Sequence, residues 1–116
     1  MLTLYGIPNC DTVKKARLWL DTRGVIFSFH DFKKDGVNAE LLTDWLKQSP
    51  WEKLVNRAGM TWRNLPDTSK ADIHDDASAL ALMLEKPSVI KRPVITIDGE
   101  IAAIGFSEDS YQQFAQ

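Results

Sequence analysis

The sequence predicts an α/β fold with a mixed sheet, helices covering it, and an all-helical insertion near mid-chain. Three observations carry that prediction. A strand, a helix and a second strand follow one another within about 30 residues of the start, the pattern of a βαβ unit with a parallel pair. A helical block then occupies roughly 38–86. Near the end, Asp98-Gly99 lies between two apolar runs and reads as a hairpin turn. The order is therefore βαβ, a helical block, then ββα.

Residues 2–5, LTLY, form an apolar strand that stops at Gly6 and Pro8. From Asp11 the period changes, because Val13, Ala16 and Leu20 recur at helical spacing while Lys14, Lys15 and Arg17 take other faces. Gly24 supplies the stop. Residues 25–31, VIFSFHD, are rich in β-branched and aromatic types and read as the second strand. Asn38 is an N-cap for a helix whose apolar face is Leu41, Leu42, Trp45 and Leu46. Pro50 opens another helix, with Gly59 as its stop. Residues 69–87 hold one or two helices, with Ala77, Leu80, Ala81 and Leu84 as the last face and Pro87 as closure. Two strands flank Asp98-Gly99, and 107–116 form a short final helix opening at Ser107, with Glu108 and Asp109 behind it.

The totals narrow the function classes. At 116 residues, 44% hydrophobic and 26% charged, the chain reads as one globular domain, 1–116, with the insertion at roughly 36–88. A formal net charge of -2 offers no excess of positive charge for phosphates, which excludes a general nucleic-acid binder. The single cysteine cannot form an internal disulfide, so no oxidising compartment is required. There is no basic leader before an apolar stretch, and no apolar run approaches the roughly 20 residues that span a bilayer. A cytoplasmic monomer is the expectation.

That lone cysteine is Cys10, in "PNCDTVKK", at the predicted start of the first helix. Unpaired N–H groups and the helix dipole favour an anion there, so a thiolate is stabilised. Lys14, one turn on, adds positive potential, and Asp11 opposes it. A buried, inert thiol is the commoner use of cysteine. A loop at the carboxyl end of a first strand, however, is where α/β proteins build sites. Cys10 is thus a candidate nucleophile, with Asn9 and Lys14 as candidate anion-binding neighbours. Residue 13 is Val13, so C-x-x-C is absent and any second thiol must come from elsewhere. No metal site is expected: His30 and His74 lie far from Cys10 in sequence and lack ordinary zinc spacing.

"KRPVITI", 91–97, places a basic dipeptide and a proline before a strand. Arg92 has a planar fork suited to a carboxylate or oxyanion; a solvated charge beside the strand is the simpler reading. In "NRAGMTWRNL", Arg57 and Arg63 flank Trp62, and a surface helix end accounts for both.

Taken together and in order, Cys10 after a first strand, "NRAG" and "KRP" resemble the arsenate reductase (ArsC) family, most closely its small YffB-like subgroup. The likeness runs through "LYGIPNCDTVKKARLWL", "LVNRAGMTWRNL", "LMLEKPSVIKRPVI" and "IGFSEDSY". It implies a thioredoxin-like (glutaredoxin-like) fold with Cys10 as the family's nucleophile. It further implies that Arg57 and Arg92 match two oxyanion-holding arginines, and that Pro93 matches the proline usually cis beside such a site. Two departures stand out. Gly6 occupies the place of a histidine four residues before the cysteine, and "AAIGF" lacks the third arginine that arsenate reductases bring from the strand after the hairpin. The related Spx-type regulators usually carry C-x-x-C and bind RNA polymerase.

The expected function is a monothiol, glutathione-dependent thiol–disulfide reductase or transferase. Cys10 is its nucleophile, and Arg57, Arg92 and Pro93 line the substrate side. No cofactor is bound; glutathione or another small thiol is the co-substrate, with glutaredoxin as a further partner. Arsenate reduction with glutathione and glutaredoxin is one alternative, and a Spx-like interaction module without catalysis is another.

Overall fold

The computed structural model describes residues 1–115. It divides into two compact units, one made of Met1–Asp35 with Arg92–Gln116 and the other of Gly36–Lys91.

The first unit is built on a four-stranded sheet with spatial order β2-β1-β3-β4. Its strands are β1 (Leu2–Gly6), β2 (Ser28–Asp31), β3 (Val94–Ile97) and β4 (Glu100–Ile104). β1 pairs in parallel with β2, Leu4 facing Phe29, and antiparallel with β3, Leu4 facing Ile95. The chain therefore makes a mixed sheet of the thioredoxin-like type. Helix α1 (Asp11–Thr22) connects β1 to β2. Its apolar stripe is the one the periodicity marks: Val13, Ala16 and Leu20 are each 0% exposed, and Trp19 joins them. They pack with Leu4, Ile95 and Tyr111 in one core, where each fully buried Val or Leu contributes roughly 1.5–3 kcal/mol of transfer free energy.

The second strand is shorter than the sequence suggests. Val25 and Phe27 do pack against the core, but the Val25 N–H donates to the Leu20 carbonyl at 3.0 Å and closes the end of α1 instead of pairing with β1. Gly24, at φ 69°, makes that closure possible. At the outer edge of β2, the Asp31 N–H donates to Asp35 Oδ2 at 3.1 Å, and the Asp35 N–H donates to the Asp31 carbonyl at 2.7 Å. The hairpin turns where Asp-Gly predicts, with Asp98 at φ 51° and Gly99 at φ 88°. The tail begins with helix α7 (Glu108–Tyr111), capped by the Ser107 hydroxyl, and continues as a 3₁₀ turn over Gln112–Phe114. Gln116, the end of the predicted tail helix, lies outside the described residues.

The second unit is helical: α2 (Ala39–Gln48), α3 (Trp51–Leu54), α4 (Met60–Arg63), α5 (Asp67–Ala71) and α6 (Asp76–Glu85), followed by a 3₁₀ turn over Pro87–Val89. Asn38 caps α2 by accepting from the Leu41 N–H at 2.8 Å, and Leu42 and Trp45 are buried. Two expectations are corrected here. The helix opened by Pro50 stops at Leu54, because the Leu54 carbonyl accepts from Lys91 and the Asn56 N–H donates to Val89. Gly59 then begins α4 rather than ending a helix. In α6 the buried face is Ala79, Leu82 and Met83, while Ala77, Ala81 and Leu84 are exposed. Apolar residues surround that helix on nearly every side, so periodicity alone could not select the face.

Candidate functional site

The segment between β1 and α1 is a tight turn. The Cys10 N–H donates to the Ile7 carbonyl at 3.1 Å, and the Cys10 carbonyl accepts from Lys14 N–H at 2.9 Å as the first bond of the helix. Cys10 is therefore the N-cap of α1, and it is half-buried. Gly6 sets how closely β1 approaches that helix. A β-carbon on Gly6 would fall 2.7 Å from Val13 Cγ2, so the strand end and the first turn fit together only without a side chain there.

The groups around the sulfur determine its charge. Partial burial raises the thiol pKa, but the Val13 N–H, the Arg92 side chain and the Thr12 N–H each hydrogen-bond toward the sulfur and lower it. The positive charge of Arg92 adds to them, and the net shift is downward. The side chain makes no regular capping hydrogen bond, so these groups act on sulfur as an acceptor of weak, charge-favouring contacts. Lys14 and Asp11, the charges that sequence proximity singles out, are not among the groups that move the thiol.

Arg92 reaches the sulfur because β3 lies beside β1. Tyr5 on β1 faces Val94 on β3, which brings the residues just before Val94 to the same sheet end as Gly6 and the turn that follows it. The Arg92–Pro93 peptide is cis, and Pro93 is buried. The Pro93 carbonyl accepts from the Gly105 N–H at 2.7 Å, one rung beyond the Val94–Ile104 pair. Gly105 has φ 85°, a conformation that a residue with a β-carbon adopts only under strain.

Among the sequence-derived candidates, Cys10, Arg92 and Pro93 thus form one constellation in the first unit. Lys14 and Asn9 are exposed beside it. Arg57 belongs to the second unit, where it is exposed and its guanidinium carbon lies 5.4 Å from the centroid of the Trp51 ring. His74 Nδ1 is 3.6 Å from Asp75 Oδ2 at the surface. Among the described residues, no group of three or more His, Cys, Asp or Glu side chains is arranged to hold a metal ion. Likewise, no described helix is long and apolar enough to cross a membrane. The unpaired first-turn N–H groups that the helix-start position of Cys10 predicts are those of Thr12 and Val13. Gly105, whose N–H bonds the Pro93 carbonyl, has no such signal in the sequence.

The chain is similar to known proteins over nearly its whole length. A profile described as the ArsC family matches residues 5–114. An uncharacterised protein of Haemophilus influenzae is 46% identical over 112 residues, covering 97% of this chain and 96% of its own. A solved structure named YFFB protein superposes with a TM-score of 0.92 at 45% identity over 100% of both chains. A protein of Streptococcus agalactiae named global transcriptional regulator Spx is 30% identical over 116 residues, covering 98% of this chain and 82% of its own.

Proposed function

The chain belongs to the ArsC family, and from that membership we propose that it is a thiol-dependent oxidoreductase whose nucleophile is Cys10. One observation carries the reading: Arg92 and the first-turn N–H groups of α1 converge on the Cys10 sulfur and favour its thiolate. A thiolate is the form that attacks disulfides, and a lowered thiol pKa also makes the sulfur a better leaving group.

The finer reading is a monothiol cycle with glutathione in the cytoplasm. The Cys10 thiolate attacks the glutathione sulfur of a mixed disulfide R–S–S–G. The Cys10–S–S–G disulfide forms as the S–S bond of R–S–S–G breaks, and R–S⁻ leaves to take a proton from solvent. A second glutathione thiolate attacks the glutathione sulfur now on Cys10, yielding glutathione disulfide and restoring the thiolate. The sum is one mixed disulfide R–S–S–G and one glutathione giving R–SH and glutathione disulfide, and the chain needs no second cysteine. Arg92 holds a carboxylate of the incoming glutathione, and Pro93 forms the wall beside the sulfur.

Two features support thiol exchange over arsenate reduction. The place of the histidine in the resembling reductases is Gly6, whose missing β-carbon is space taken by Val13. The stretch from which those reductases bring a third arginine contains Gly105, at φ 85°. A glutathione-coupled assay on a mixed-disulfide substrate tests the proposal: wild type is expected to turn over and Cys10→Ser to lose turnover. Equal rates, or a wild-type thiol pKa at the ordinary value of about 8.5, would overturn it.

The Spx-named relative favours a second reading, a regulatory interaction module. Capture of RNA polymerase by wild type and by Cys10→Ser alike, without thiol turnover, is its expected signature.

A further inference from the structure

The mechanism just described uses Arg92 but leaves open what holds it on the sulfur. The chain of contacts behind it is short and lies entirely within the first unit. The Gly105 N–H donates to the Pro93 carbonyl at 2.7 Å. On the other side, the Tyr111 hydroxyl donates to the Gly105 carbonyl at 2.9 Å in a buried setting. Burial pushes the Tyr111 phenol well above its ordinary pKa, so it stays protonated and remains a donor. Its ring is 0% exposed and meets Trp19, Phe106 and Phe114 edge-on, with centroids 5.7, 4.8 and 5.3 Å away. Trp19 lies on α1, the helix whose first turn carries Cys10. Tyr111 therefore touches α1 through its ring and, through its hydroxyl, Gly105, whose N–H in turn holds the Pro93 carbonyl next to Arg92.

We propose that Tyr111 is a positioning residue for the reacting pair: its hydroxyl, acting through Gly105 and the Pro93 carbonyl, keeps Arg92 on the Cys10 sulfur. The inference rests on the reading of Cys10 as the reacting thiol. Gly105 suits the relay because its left-handed backbone turns the N–H toward Pro93 and the carbonyl toward Tyr111 at once. Tyr111→Phe retains the ring contacts and removes only the donor.

The test is the pH dependence of Cys10 alkylation by iodoacetamide in wild type, Tyr111→Phe, Arg92→Ala and the double variant. Tyr111→Phe is expected to raise the thiol pKa by about half a unit, roughly a three-fold loss of thiolate below that pKa. In the Arg92→Ala background it is expected to add nothing, since the relay ends at Arg92. A Tyr111→Phe profile that coincides with wild type, while Arg92→Ala shifts, overturns the relay and leaves the Cys10 reading intact. An equal shift in both backgrounds also overturns it, because Tyr111 then acts by another route. A wild-type thiol that titrates at its ordinary value overturns the Cys10 reading and the relay together. Should Tyr111→Phe fail to fold, Gly105→Ala, which retains the hydroxyl but strains the turn, is expected to shift the thiol in the same direction; an unmoved profile there overturns the relay.

Discussion

Val13 occupies the space beside Gly6: a β-carbon at position 6 would lie 2.7 Å from its Cγ2 and 3.2 Å from its Cγ1. Val13 is fully buried, and its branched side chain has one strongly preferred rotamer in a helix, so moving aside is costly. Gly6→Ala is expected to destabilise the protein by about 1–3 kcal/mol through overpacking, read as a lower urea midpoint. The Gly6→Ala, Val13→Ala pair is expected to be less destabilised than the sum of the single changes, with a coupling of about 0.5–3 kcal/mol. Strict additivity would sever the link between the two residues.

Arg92→Ala removes both a hydrogen bond and a positive charge that favour the Cys10 thiolate. The thiol pKa therefore rises, and the midpoint of the alkylation profile moves to higher pH by about 1 unit. Arg92→Lys retains the charge without the fork and is expected to fall between the two. An unmoved midpoint in Arg92→Ala contradicts the contact.

The same shift links thiol ionisation to stability. Because the thiol pKa is lower in the folded chain, its contribution is fully present above the unfolded value of about 8.5 and is lost as pH falls through the folded value. Wild type is thus expected to gain stability relative to Cys10→Ser as pH rises from the lowered folded value towards the unfolded value of about 8.5 in urea denaturation series. A difference that is flat or falls with pH would mean the thiolate is not favoured by folding.

Asn38 is the side-chain cap of α2. Asn38→Ala is expected to cost about 1 kcal/mol and Asn38→Asp close to nothing, measured as shifts in urea midpoint. Equal losses in both would point away from the cap.

What could be read from residues alone follows the range of the interactions. The α1 stripe and the Cys10 cap position are local, so spacing and the change of period at Asp11 were enough to place them. The Asp98-Gly99 turn is likewise local, since only a few residue types take its backbone conformation. The shortened β2 depends on one backbone bond, Val25 to Leu20, which competes with strand pairing and leaves no compositional trace. The end of α3 at Leu54 depends on Val89 and Lys91, more than 30 residues away. The site divides in the same way. Cys10 is marked by its place at a helix start, whereas Arg92 acts on it through the sheet register, and Tyr111 through a buried hydroxyl that nothing in the tail's spacing announces.

The turn after β2 also bears on assembly. Asp35 takes both the N–H and the carbonyl of Asp31, and on β4 the Gln113 amide donates to the Ala102 carbonyl at 3.2 Å. An incoming strand, whether from a client protein or from another copy, finds its docking rung at Asp31 already satisfied and must displace Gln113 to use Ala102. The chain carries its own guards against edge-to-edge growth of the sheet.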